Sequence, residues 1–520
     1  MKYSDDIFQL IKSLSKQEKI YFRKFAATYT EEESSNYLKY FDEIVNQISK
    51  NVDYDESKIR SIKFTGKFLK NLSYHKNYLY NMILDSVTFY NREKKSYISL
   101  SNQISQINYL MEKSLYEQAG KLLTKAKRSA YKSDSFPDLL KILNLEKKIL
   151  KAVLNLGDFI IKNKLITEEQ ENVTGFIQNN IDFSKLYGRI DSLTQRNGTG
   201  YARGEDIALD FENINNSPLM QDESNAKSFL SKFMFMNIKL NYHLSKNEIK
   251  EANKYAEEVV QLLEENPGKG ENYLHRYIIS LNNLLNTQCR ISNFEESEKT
   301  VLKMKELEIK YSPVISLNEK IFIYYSVSVL MISKYLQTAD FEKMKLFLED
   351  VILDIDKYEF RIILQQRIIL YYYIGLSYFV LSDFESCIKW LGKILNSEKS
   401  LMSEDYQCLS RIVFLLSYYE LKYFDSLEYV LKSTYHFLIK RKRVFKYENI
   451  ILKYLRRSFR VKTESELYEM FREMKYELKK ISEDPFERNA FDTFNILYWL
   501  DSKLKKITLT EVLLIAKKEN

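Results

Sequence analysis

The stretch YYYIGLSYFVLSDFESCIKWLGKIL, residues 371–395, decides the fold. Tyr371, Ile374, Gly375 and Tyr378 fall at i, i+3, i+4 and i+7, which places them on one face of a helix. Ser382 and Asp383 break that helix, and Phe384, Cys387, Ile388, Leu391, Ile394 and Leu395 restart the same period. The pattern predicts two amphipathic helices joined by a short turn. Such an α-hairpin cannot bury its apolar faces alone, so it requires neighbours of its own kind.

Those neighbours lie on both sides. Ile249, Phe294, Phe341, Phe384 and Phe424 each open a second helix, and they stand 45, 47, 43 and 40 residues apart. A recurring distance of this size is the mark of stacked helical pairs. Tyr116, Ala119, Leu122, Leu123 and Ala126 match a second helix further upstream. The uncharged runs 321–333 and 368–382 sit where first helices belong, and both are shorter than the roughly 20 residues that cross a bilayer. Helices over 463–482 and 486–505 close the array, with Tyr498 and Trp499 sealing its apolar end. Upstream of all this, Ser15 and Glu18 form a capping box, and a helix over 33–48, a shorter one near 56–62 and a long one within 64–90, after a turn at Gly66, complete a separate bundle. Gly188, Gly198, Gly200 and Gly204, a third of the 12 glycines, mark 189–222 as a loop or flexible insertion. The expected organisation is an N-terminal helical bundle (1–97), first repeats (98–188), that loop, a main repeat array (223–440) and a basic helix with capping helices (441–520).

Composition agrees. Hydrophobic residues make up 45% and charged residues 29%, while Gly and Pro number only 12 and 5. So few chain breakers argue against all-β or Rossmann-like folds, which need many tight turns. The net charge of +8 comes from 79 basic and 71 acidic residues. An AT-rich coding bias explains this together with 40 Tyr; selection for an acidic partner is the other reading. Cys289, Cys387 and Cys408 are far apart, which fits a reducing compartment without disulfides. Acidic residues stand where a signal peptide needs a basic start. A soluble cytoplasmic protein without membrane association is expected.

In residues 371–395 the chain resembles a tetratricopeptide repeat. That family places an aromatic, Leu-Gly and Tyr in its first helix, and an aromatic followed by Ala in its second. Tyr371, Ile374-Gly375, Tyr378, Phe384 and Cys387 occupy those places. The resemblance extends over about 101–440 and weakens outward, where Leu415 and Leu427 replace the small residues. The whole arrangement also resembles a group of uncharacterised bacterial helical-repeat proteins, through LIKSLSKQEKIYFRKFA and KNYLYNMIL. The resemblance implies an all-α fold: a right-handed superhelical α-solenoid of stacked hairpins behind the N-terminal bundle. It also implies a concave groove that holds a peptide. Carried over, the groove residues are Tyr372, Leu376 and Phe379, then Ile412, Leu416 and Tyr419, and Val329, Ser333 and Leu336 in the preceding repeat. The bland alternative is that these side chains pack inside a tightly wound superhelix.

Catalytic signals are absent from the sequence. His75, His243, His275 and His436 show no metal-ligand spacing with one another or with the cysteines. GTGYARG, residues 198–204, lacks the strand and helix that a phosphate loop needs. No cofactor is expected. One charge feature stands out: residues 440–462 carry ten basic residues against Glu448, a net +9. Arg441, Lys442, Arg443, Lys446, Lys453, Arg457 and Arg460 form this basic surface. It reads as a phosphate- or acid-binding face, or as a solvated helix facing acidic neighbours such as Glu464, Glu466 and Glu469. Asn71, Ser73, Tyr74, His75, Lys76 and Asn77 open a helix that reads either as a small bundle helix or as a helix-turn-helix element.

Two functions follow. The first is a non-enzymatic scaffold or adaptor that binds a protein or peptide in the repeat groove. The alternative is a nucleic-acid-binding regulator that uses the N-terminal bundle or the basic helix, with repeats that sense a ligand.

Overall fold

At five hairpin turns between residues 229 and 440 one residue adopts the left-handed conformation: Asn247, Ser292, Ala339, Ser382 and Lys422, with φ between 49° and 63°. Each ends a first helix. The N–H of the next residue then donates to the carbonyl five residues earlier, from Glu248 to His243, Asn293 to Gln288, Asp340 to Tyr335, Asp383 to Tyr378 and Tyr423 to Tyr418, at 2.9–3.1 Å. This is the six-to-one bond of a Schellman turn. At Asn293 and Asp383 the residue after the left-handed one also caps the second helix, its side chain accepting from the N–H of Glu296 and Ser386. One residue thus closes the first helix and opens the second. The apolar residue that follows, from Ile249 to Phe424, is the first of each second helix.

In this computed structural model the described residues are 3–28, 31–50, 52, 54–62, 64, 68–91, 96–197, 205–269, 273–312, 315–358, 361–396, 403–440, 445–484 and 486–519. Among them are twenty-five α-helices and no strand. Consecutive helices pack against each other as an all-α solenoid. Two compact units divide the chain, Met1–Val173 and Thr174–Asn520.

The first unit begins with the expected bundle. Ile7, Ile11, Phe22, Tyr40, Phe41, Ile44, Leu79 and Ile83 form its core. Ser15 caps helix Lys16–Ala26, and the Glu18 carboxylate accepts from the Ser15 N–H at 2.8 Å, so the capping box is formed. Helices Ser96–Glu112, Tyr116–Lys132 and Phe136–Val153 follow, joined by left-handed turns at Ser114 and Asp134.

The second unit pairs Phe229–Ser245 with Ile249–Glu265, Tyr273–Arg290 with Phe294–Lys310, Leu317–Gln337 with Phe341–Tyr358, Leu364–Val380 with Phe384–Leu395, and Glu404–Glu420 with Phe424–Lys440. Gly375 is where the Leu364–Val380 pair crosses most tightly. A β-carbon there would stand 2.5 Å from Leu391 Cδ2 and 2.7 Å from its Cγ. Leu391 is itself fully buried.

Two sequence expectations change. Residues 189–222 are mostly helical rather than loop. Helix Leu156–Asn197 runs on to Asn197, and Glu205–Asn215 forms another helix, while 198–204 lie outside the described residues. Gly188 lies in the body of that long helix with nothing within 4 Å of where its β-carbon would stand. Glycine composition therefore misled where helix propensity and the burial of Ile190, Phe211 and Ile214 prevail. The helix expected over 486–505 is two, Arg488–Thr493 and Ile496–Lys505, because Phe494 adopts an extended conformation and Asn495 caps the second.

Two substitutions test the turn and the crossing with opposite signs. Lys422→Gly, at an exposed left-handed position, is expected to raise stability by about 0.5–1 kcal/mol. Gly375→Ala is expected to lower it by about 1–3 kcal/mol through overpacking against Leu391. Denaturant unfolding followed by circular dichroism reads both.

Candidate functional site

The face expected to form the groove is already covered. Tyr372, Leu376, Phe379, Ile412 and Leu416 are buried. The Tyr372 hydroxyl donates to the Thr493 carbonyl at 3.3 Å, and the Phe379 ring meets Phe494 edge-on at 5.8 Å. Tyr419 packs edge-on against Phe471 and Trp499. The Tyr447 hydroxyl donates to the Phe494 carbonyl at 2.8 Å. The chain's own C-terminal segment thus lies on the aromatic faces of helices Leu364–Val380 and Glu404–Glu420. The physical reason is area: first-helix faces this apolar are stabilised by leaving water, and the C-terminal helices supply the cover. Leu336 is half-buried in the same core. Val329 and Ser333 alone among the nine expected groove residues line open space.

That space is an open-sided chamber of about 1060 Å³ within the second unit. First helices form its walls, each through one stripe. Asn282, Asn283 and Asn286 come from helix Tyr273–Arg290. Phe322, Ser326, Val329 and Ser333, at i, i+4, i+7 and i+11, come from Leu317–Gln337. Gln366, Ile369 and Tyr373, at i, i+3 and i+7, come from Leu364–Val380, with Gln365 beside them. Arg488, Asp492 and Thr493 of the C-terminal segment close one side. On another, the Ser403 N–H donates to the Gln195 carbonyl at 3.1 Å, which ties the end of the Leu156–Asn197 helix to the start of Glu404–Glu420 and brings Thr194 and Gln195 to the rim.

The chamber wall carries side-chain amides that the fold does not use. Among the described residues, the side-chain amides of Asn282, Asn283, Asn286, Gln365 and Gln366 make no hydrogen bond to the rest of the chain. Neighbouring amides that face elsewhere are engaged: Asn237 donates to the Phe233 carbonyl, Asn241 to that of Asn237, and Asn253 accepts from Thr287. The Ser326 hydroxyl, on a residue 1% exposed, also has no partner. Charges on the lining nearly balance, with Lys250, Arg290 and Arg488 against Asp191 and Asp492. Burial raises the Tyr325 and Tyr406 phenols above the ordinary tyrosine range, and Tyr406 is hydrogen-bonded to Tyr373, so this corner stays neutral. The amides had a signal in the sequence: Asn282, Asn283 and Asn286 crowd into five residues of one first helix.

Three residues of the basic segment pair with carboxylates. Lys446 meets Asp484 at 2.8 Å, Lys453 meets Glu477 at 2.8 Å, and Arg457 meets Glu473. The acids come from helix Glu464–Ile481 and the turn after it, rather than from Glu464, Glu466 or Glu469; Glu464 pairs with Lys506. Arg460 is exposed, and Arg441, Lys442 and Arg443 lie outside the described residues. At the N-terminus two of the six residues considered for nucleic-acid contact turn inward. His75 Nδ1 bonds the Tyr37 hydroxyl at 2.8 Å and its ring stacks on Phe68, while Lys76 meets Glu56 at 2.5 Å.

Among the described residues no three His, Cys, Asp or Glu side chains converge to hold a metal ion. All three cysteines are free and buried. Burial pushes the Cys289 thiol up to about 11 and the Cys387 thiol to about 12. No described helix is long and apolar enough to cross a membrane. Compared with models of known protein families and with curated protein sequences, the chain matches none. The class defined by the fold is therefore the all-α helical-repeat solenoid, and the site is a polar chamber between its first helices.

Because the thiolate is the reactive form, a thiol reagent near pH 8 is expected to leave Cys289 and Cys387 unmodified in the native chain for as long as denatured chain takes to react at all three cysteines. Rapid native labelling of Cys289, read by mass spectrometry of the tryptic peptide, would show that the chamber wall opens.

Proposed function

We propose that this chain is a non-enzymatic binding protein, a tetratricopeptide-like scaffold or adaptor that takes a protein or peptide segment into the concave chamber. The observation that carries the reading is the set of uncommitted amides around a cavity of this size. Ligand sites combine a concavity with a few convergent polar groups that the fold itself does not use. The aromatic faces first expected to do this are occupied by the C-terminal segment, which moves the proposed site from Tyr372 and Phe379 to the Asn286 and Ser333 side of the first helices. The tight crossing at Gly375 supports the tetratricopeptide-like kinship. Three buried free thiols fit a reducing compartment and support a cytoplasmic location.

The immobilised full chain is incubated with lysate, half of it nuclease-treated, beside an Asn286→Trp variant that fills the chamber. Protein partners retained after nuclease and lost with Asn286→Trp are the expected result. Partners lost with nuclease and kept by the variant would instead favour the nucleic-acid-binding regulator, with affinity that falls steeply as salt rises.

A further inference from the structure

In the first unit, helix Leu156–Asn197 starts in the open. Its side-chain hydrogen bonds to helix Phe136–Val153 lie three turns in, where Lys147 donates to the Thr167 hydroxyl at 2.7 Å and Gln170 donates to Asn144 at 2.9 Å. Before that point Leu156, Ile160, Ile161 and Leu165 stand 59–75% exposed, and so does Val153 at the end of the preceding helix. Leu156 with Ile160, and Ile161 with Leu165, are i, i+4 pairs, so they make two adjoining rows on the helix surface. The next residue, Ile166, turns inward and is buried. Single exposed aliphatic residues need no explanation, but five within thirteen residues at one corner of the fold make a patch.

Lysines surround this corner. Lys148, Lys151, Lys162 and Lys164 are exposed, and none of them meets a carboxylate of the described residues. Asp158 is the single acid between 147 and 165, and its carboxylate accepts from the Asn155 amide at 2.8 Å. Of the nearest flanking acids, Glu146 and Glu169 are both held by Lys127 at 2.8 Å, and Glu168 is exposed. Over residues 116–165 eleven basic residues stand against five acidic ones, a net +6 where the whole chain carries +8. The chain's excess charge is thus concentrated around its largest run of exposed aliphatic side chains.

Charge and residue type together select what covers the patch. A second copy placed across a two-fold axis would set this lysine cluster against itself. An acidic protein would match the charge, but protein interfaces draw on arginine and aromatic residues and are depleted in lysine. Here the five exposed apolar residues are all aliphatic, and no arginine stands between 129 and 188. Aliphatic side chains bordered by lysines suit the boundary between lipid headgroups and acyl chains. There the long lysine stems lie along apolar surface while their ammonium groups reach the headgroups.

We propose that the corner between helices Phe136–Val153 and Leu156–Asn197 docks on an anionic lipid surface, with Leu156, Ile160, Ile161 and Leu165 entering the acyl boundary and the four lysines meeting the headgroups. Such contact is peripheral, in keeping with the lack of any described helix that could cross a membrane. It stands independently of the chamber in the second unit. It departs from the expectation of a chain without membrane association, which rested on apolar runs too short to span; a surface contact needs a patch rather than a run.

The test is co-sedimentation of the full chain with vesicles of phosphatidylcholine alone or with roughly a third phosphatidylserine. Binding to the mixed vesicles, little to the neutral ones, and a fall in affinity as salt rises are expected. Ile160→Gln with Ile161→Gln is expected to weaken binding about tenfold or more, and Lys162→Gln with Lys164→Gln by a similar factor, since a lysine near an anionic surface contributes about fivefold. Leu302→Gln with Ile309→Gln, an equally exposed aliphatic pair on helix Phe294–Lys310, is expected to leave binding unchanged. The melting point of each variant should stay at that of the parent chain, because all these side chains are exposed. Failure to bind the mixed vesicles, equal binding to neutral ones, or binding indifferent to the Ile160 and Ile161 changes overturns the proposal. Self-association in sedimentation velocity that Ile160→Gln with Ile161→Gln abolishes, without vesicle binding, assigns the patch to a second copy instead. Retention of polyglutamate without vesicle binding assigns it to an acidic protein.

Discussion

Everything in the second unit hangs on the bond that closes each hairpin, from the residue after the left-handed one to the carbonyl five residues back. A helix end leaves orphan carbonyls, and this bond satisfies one while reversing the chain within three residues. Ser, Asn, Ala and Lys occupy the left-handed position, each at a cost of roughly 1–2 kcal/mol that glycine would not incur. The cost is tolerated because the reversal buries two apolar faces against each other. Repeated five times, it aligns the first helices as one wall and the second helices as another. The repeat length varies between 40 and 47 residues because helix lengths vary while the turn does not.

A wall of first helices is a surface too apolar to leave in water, and the chain covers much of it with itself. Phe494 against Phe379, Trp499 against Tyr419, and the hydroxyls of Tyr372 and Tyr447 on backbone carbonyls hold the C-terminal segment there. The Glu487 carboxylate, 3% exposed, accepts from the N–H groups of Lys446 and Tyr447 and so caps the Lys446–Ser458 helix from the same segment. Cover ends where the wall turns polar. The chamber begins at Arg488, Asp492 and Thr493, on the flank of the segment whose opposite side, at Ala490 and Phe491, is buried.

Hairpin periodicity was legible in the sequence because it is local: the 3.6-residue period and the recurring apolar residue after each turn lie within one repeat. The capping box at Ser15 was legible for the same reason. The long helix through Gly188 was not, since its glycines signal breaks that burial of Ile190 and Phe183 overrides. The groove was misplaced because its residues were carried over repeat by repeat. No repeat shows that residues more than a hundred positions downstream will lie across Tyr372. The acidic partners of Lys453 and Arg457 were missed in the same way: Glu473 and Glu477 follow only from how helix Glu464–Ile481 packs beside Lys446–Ser458. Asn282, Asn283 and Asn286 were visible as letters, but their meaning needed the wall on the other side.

Uncommitted amides are inexpensive where they stand, because a half-buried amide facing a water-filled chamber keeps its hydrogen bonds to solvent. Buried without water they would be costly. A chamber lined in this way stays wet and soluble while empty, which an aromatic groove of equal area would not. The same property sets the terms of entry. A ligand gains little unless it replaces the displaced water's hydrogen bonds nearly one for one, and it must do so at the spacing fixed by the helix rise. A solute that entered this chamber would accordingly be selected by its pattern of donors and acceptors more than by its charge or its apolar area.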